Sequence, residues 1–139
     1  MPCWILVCTS IGFAIPSLIA AKLRKKKDKK MLGSLSITSV LYHGTVHPLA
    51  KFIDTCVAHY IAIRYMFHGI RRIISYKNIY DVVGVAIGGA SIYMYYHKSL
   101  RIKDHRESQK WHAAVHITAQ AAMTIFLYSP SNVLSREEI

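Results

Sequence analysis

Ser39 and His43 stand four residues apart, and so do His112 and His116, so that on helices each pair shares one face. Three neutral imidazoles with a fourth position left open make the ligand set of a catalytic zinc ion, which activates water near neutral pH. His43, His112 and His116 are the residues that fit that set. Asp54 adds a carboxylate suited either to act as a base toward the water or to bond an imidazole from behind. Ser39 adds a hydroxyl that holds the water or polarises a substrate carbonyl. A His-x3-His pair alone carries little weight in a chain of 139 residues with eight histidines, where His43 and His47 form another. The joint pattern of Ser39, His43, Asp54 and the paired His112 and His116 carries more.

These residues lie in apolar segments, and the segments read as membrane helices. The chain is 53% hydrophobic with a formal net charge of +11, and its apolar residues are clustered. A bilayer span needs about 20 mostly apolar residues. Residues 3–21 contain no charge and run directly into KLRKKKDKK, a cationic stop. A cleaved signal peptide would carry its cations ahead of the apolar core, so this segment is expected to remain as a first span. Residues 31–48, 52–70, 79–96 and 111–128 are expected to be four more, with Pro48 where the second helix must end. The third carries Asp54 and Arg64, charges that need partners or an interface. Gly84, Gly88 and Gly89 in the fourth permit close helix approach. The expected fold is therefore an all-α polytopic transmembrane bundle of about five spans in a single domain, residues 1–139.

Lys and Arg divide twelve to six between the two faces of such a bundle, which predicts a cytoplasmic C-terminus and an N-terminus outside or in a lumen. The cations flank apolar runs and are not interleaved with exposed stacking aromatics, which argues against nucleic acid and for membrane lipid as the partner. Cys3, Cys8 and Cys56 are odd in number and sit in apolar segments, so they read as free thiols. The Lys25 to Lys30 run reads as a topology signal, with anionic lipid a secondary contact. Tyr93, Tyr95 and Tyr96 read as an interfacial belt.

Five antiparallel spans bring Ser39, His43, Asp54, His112 and His116 to one end of the bundle. His43, His112 and His116 lie within about two helical turns of that face at a rise of about 1.5 Å per residue. His59 and His68 fall farther along the Asp54 helix and read as polar contacts between helices. His97, at the end of the fourth span, reads as a histidine that meets water or approaches the site.

The string Ser39-Val-Leu-Tyr-His43, the following Asp54 and the C-terminal His112-Ala-Ala-Val-His116-Ile resemble the superfamily of alkaline ceramidases, adiponectin and progestin receptors and haemolysin-III-like proteins. The resemblance implies a zinc site with His43, His112 and His116 as ligands and with Ser39 and Asp54 beside a catalytic water. It further implies hydrolysis of a lipid amide, ceramide-like. The resemblance spans residues 33 to 65 and 108 to 128; the family usually has seven spans, and Thr55 stands where ceramidases carry a second acid. The other functions consistent with the same residues are a non-catalytic small membrane protein and a lipid-sensing receptor.

Overall fold

Pro16 has no amide proton, and its ring crowds the carbonyl of Gly12, so the first apolar segment cannot continue as one straight helix. The computed structural model, which describes residues 3–129, resolves that segment into α1 (Trp4–Ile11) and α2 (Ala14–Lys22) with a bend at Gly12 and Phe13. The bend changes which backbone groups need partners. Phe13 N–H bonds to Ser10 O at 3.1 Å and Ile15 N–H to Gly12 O at 3.0 Å. The Thr9 carbonyl accepts instead from the side-chain amide of Gln120. Gly12 makes the approach feasible, because a Cβ there would meet Gln120 Oε1 at 2.5 Å.

The chain continues through α3 (Lys26–Thr45), α4 (Pro48–Tyr76), α5 (Ile79–Met94), a π-helical turn (Tyr95–Ser99) and α6 (His105–Tyr128). Every element among the described residues is helical. Three of the connections are built on a side-chain cap. Val46 closes α3 in the left-handed conformation at φ 54°, and His47 Nδ1 accepts from Leu49 N at 3.2 Å to start α4. Pro48 therefore begins α4 at the position where its missing N–H costs nothing. It lies beyond the end of α3 at Thr45 and does not belong to the second segment, as the sequence boundary had it. Asn78 caps α5 through Tyr80 N at 3.0 Å, and Asp104 caps α6 through Arg106 N at 2.8 Å.

One stretch, Trp4–Lys22, 19 residues at mean hydropathy 2.0, is long and apolar enough to cross a membrane on those grounds alone. The same measure is not met by the helices that carry the other four expected spans. In α6 the segment from Trp111 to Tyr128 has no charged residue, and its hydropathy is diluted by His112, His116 and Gln120. These are residues whose partners lie inside the bundle.

The end of the bundle remote from His43 is closed by charge. Arg72 of α4 pairs with Asp81 of α5 at 2.7 Å, and Ser129 Oγ donates to the other carboxylate oxygen at 2.8 Å. Lys25 Nζ caps the last turn of α6 by donating to Leu127 O at 2.6 Å, a favourable position for a cation at a helix C-terminus. Burial pushes that ammonium below the usual lysine range, against the opposing pull of Asp28. Above this layer the Phe126 ring fills the space left by Gly69 and Gly84, where a Cβ would meet it at 2.5 and 2.8 Å. Gly88 faces Met66, whereas Gly89 faces open space.

This architecture sets two expected stability outcomes. Val46→Gly relieves a β-branched residue of left-handed strain and is expected to stabilise by about 1 kcal/mol, seen as a higher Tm in detergent. Asp81→Ala strands the Arg72 guanidinium and is expected to destabilise by about 3–5 kcal/mol in the same measurement.

Candidate metal centre

His43 sits in the last turn of α3, and His112 and His116 sit one turn apart in the first half of α6. Because α3 and α6 run in opposite directions, these positions coincide at the end where α1 and α4 begin. The ligand-capable atoms of His43, His112 and His116 all lie within 4.8 Å of one another. Ring centroids are separated by 5.2 Å for His43 and His112, 5.3 Å for His43 and His116, and 4.9 Å for His112 and His116. A tetrahedral ion with metal–nitrogen bonds of about 2.0–2.1 Å would hold its ligand nitrogens about 3.3 Å apart, so the rings need to close by about 1.5 Å at most.

The donor chemistry fits a metal. His43 Nε2 is buried and has no hydrogen-bond partner, a costly state for a polar atom. His112 Nδ1 lies 3.1 Å from Ser99 Oγ, and His116 Nδ1 lies 3.0 Å from Thr9 Oγ1. With both Nδ1 atoms engaged, Nε2 is the nitrogen left on each ring for a ligand. Buried cationic imidazoles this close would repel one another, whereas neutral ones can share an ion. The cluster is thus able to hold a metal ion, and an all-imidazole set suits zinc, copper, iron or nickel.

Asp54 and Ser39 occupy the wall beside this cluster. Asp54, 8% exposed, accepts from Thr38 Oγ1 at 3.1 Å, and the Ser39 hydroxyl lies next to the carboxyl. Ser39, 1% exposed, is also 2.9 Å from Ser10 Oγ of α1. Both line a cavity of about 720 Å³ together with His112 and His116. Its lining follows α4 and α6 from Lys51 and His112 past Ala58, Ala62 and Ala119 to Met66 and Met123. Its wall is chiefly apolar with polar groups at one end.

The remaining histidines lie elsewhere. His47 caps α4, and His97 stacks on Tyr93 at 4.6 Å. His59 Nδ1 lies 2.7 Å from Thr55 O, so it carries the proton there, and Nε2 accepts from Tyr96 O–H at 2.8 Å. That bond ties α4 to the π turn along the cavity's flank. Tyr95 packs edge-on to His112 at 5.8 Å and lines the cavity. The spacing of the candidate ligands gives no hint of Thr9, Ser10 and Ser99. The Thr9 and Ser10 hydroxyls sit in an apolar run, where polar atoms need partners, whereas Ser99 sits in a polar connection that gives no such signal.

Comparison with family models, with curated proteins and with solved structures gives no match for this chain.

Metal content of the detergent-purified chain tests the centre. About one transition-metal ion per chain is expected, abolished by His112→Ala/His116→Ala, since imidazole ligands supply all of the binding.

Proposed function

We propose that the chain is a polytopic membrane protein of about five spans, and that its histidine centre binds zinc and hydrolyses an amide or ester bond in a lipid, with a ceramide-like amide as the leading substrate. The observation that carries this reading is a mostly apolar cavity that reaches His112 and His116 of the cluster and has Asp54 and Ser39 on its wall. A structural role alone would favour histidines capped by neighbours and closed off from any cavity. The resemblance of Ser39-x3-His43, Asp54 and His112-x3-His116 to the ceramidase and haemolysin-III-like superfamily supports the same assignment.

Membrane embedding is supported by where polar and apolar groups fall. Ser10, Ser39, His43, Asp54, Asp81, Ser91 and His116 are buried, while Ile37, Leu41, Phe52, Ile63, Phe67 and Ile74 face outward with half or more of their surface exposed. A water-soluble bundle has the opposite distribution. In lipid the outward apolar faces are solvated, and the inward polar groups satisfy one another. The bonds of α1 to His116 and Gln120 support retention of the first span in the mature protein. The concentration of cations around Lys25, Arg71, Arg72 and Lys77 supports that end as the cytoplasmic one.

Zinc in this centre would supply a Lewis acid that polarises the substrate carbonyl and lowers the pKa of water to near 7. The protein supplies the rest. The apolar cavity takes the hydrocarbon portion of the lipid and excludes bulk water from the bond under attack. Asp54 takes a proton from the attacking water and returns it to the leaving nitrogen or oxygen as the acyl bond breaks. Ser39 orients the water or the carbonyl oxygen by its hydroxyl.

Hydrolysis of a fluorescent ceramide, and of an ester analogue, by the full chain in lipid nanodiscs tests the proposal. Fatty acid release should depend on added zinc, and Asp54→Asn should lower the rate about 100-fold or more with zinc content unchanged. Failure to turn over either lipid by zinc-loaded, folded protein would turn the reading to a non-catalytic or sensing role.

A further inference from the structure

Thr9 Oγ1 has one proton, and it lies 3.0 and 3.2 Å from the carbonyls of Ile5 and Leu6, groups that only accept. With that proton on either carbonyl, the hydroxyl is the acceptor at its 3.0 Å contact with His116 Nδ1, and Nδ1 carries the ring proton. A neutral imidazole protonated at Nδ1 presents its lone pair at Nε2. Thr9 thus selects the one tautomer of His116 that can ligate through Nε2.

A second hydroxyl, that of Ser99, lies on Nδ1 of His112 and is bonded to no carbonyl among the described residues. Ser99 closes the π turn, where Leu100 N bonds to Tyr95 O and one residue more than an α-helical turn is accommodated. That extra residue rotates the backbone beyond it by about 100° relative to a continuing α-helix. Ser99 is buried by this turn with Oγ 3.1 Å from His112 Nδ1. His43 receives no comparable bond among the described residues, and its Nε2 is left without a partner. The ligands are consequently unequal: two on α6 are held from behind, and the one on α3 completes the set.

We propose that Thr9 and Ser99 are positioning residues of the metal centre: Thr9 fixes His116 with Nδ1 protonated and Nε2 free to ligate, and Ser99 holds the orientation of the His112 ring through its Nδ1. This rests on the metal-binding reading above. It gives the first helix and the π turn a role in metal affinity that neither the ligand spacing nor the cavity assigns to them. Hydroxyls or carboxylates behind ligating imidazoles commonly change metal affinity by about 10–100-fold.

The test uses the full chain in detergent and two readouts: zinc affinity by competition with a chromophoric chelator, and the ¹⁵N shifts of the His116 ring in metal-free protein. Thr9→Val keeps the shape of the side chain and removes the acceptor, Thr9→Ser keeps the acceptor, and Ser99→Ala removes the second hydroxyl. Ser36→Ala serves as the control, since Ser36 bonds only the neighbouring Ser10 carbonyl at 3.1 Å. Thr9→Val and Ser99→Ala should each weaken zinc binding about 10–100-fold, with Thr9→Ser and Ser36→Ala within about threefold of the parent. The ¹⁵N spectrum should show His116 protonated at Nδ1 in the parent and a tautomer mixture in Thr9→Val. Parent-like affinity in both Thr9→Val and Ser99→Ala would overturn the positioning role and leave the metal centre standing. If the parent bound no zinc, the metal reading would fall by itself and the ¹⁵N comparison alone would decide, an unchanged tautomer in Thr9→Val overturning the proposal.

Discussion

Pro16 cannot donate to Gly12, and much of the bundle's interior is arranged around that missing bond. The bend it causes hands the Thr9 carbonyl to Gln120 and brings the Thr9 and Ser10 hydroxyls against His116 and Ser39. A straight helix would have retained the Thr9 carbonyl in its own ladder, and Gln120 would then lack its acceptor. The first helix is joined to α3 and α6 by directional polar bonds, which fix its rotation more sharply than apolar contact does.

The two ends of the molecule solve the burial of polar groups differently. At the closed end Arg72 pairs with Asp81, which also accepts from Ser129, and Lys25 caps the C-terminus of α6, with Arg72 Nε left without a hydrogen-bond partner, while Phe126 occupies the gap made by two glycines. At the other end imidazoles, hydroxyls and the Asp54 carboxyl line a cavity, and His43 Nε2 has no protein partner. Rigid closure on one side and an unsatisfied donor set on the other is the arrangement a binding centre requires, because the ligand supplies what the protein leaves unmet.

Much of this was legible in the residue order. Apolar runs separated by cations outline all five rods, and four-residue spacing puts His112 and His116 on one face with His43 opposite them once the helices alternate in direction. Helix limits were less legible: α3 begins among the lysines at Lys26 and α4 at Pro48, because capping by His47 and the left-handed Val46 decides the turn and hydropathy does not. The π turn was not legible; through it Ser99 and Tyr95 come against His112 of α6. Thr9 and Ser99 escaped notice as well. Their importance depends on partners 107 and 13 residues away, which spacing within one helix cannot reveal.

The bonds between the beginning and end of the chain also bear on the order of assembly. Thr9 to His116, Lys25 to Leu127 and Gln120 to Thr9 join residues 107, 102 and 111 positions apart. During synthesis the first helix emerges with its bent backbone and hydroxyls still waiting for the last one. Contacts of such long sequence separation form late, after the local helices and hairpins. The histidine cluster therefore comes into being only as α6 docks against α1 and α3.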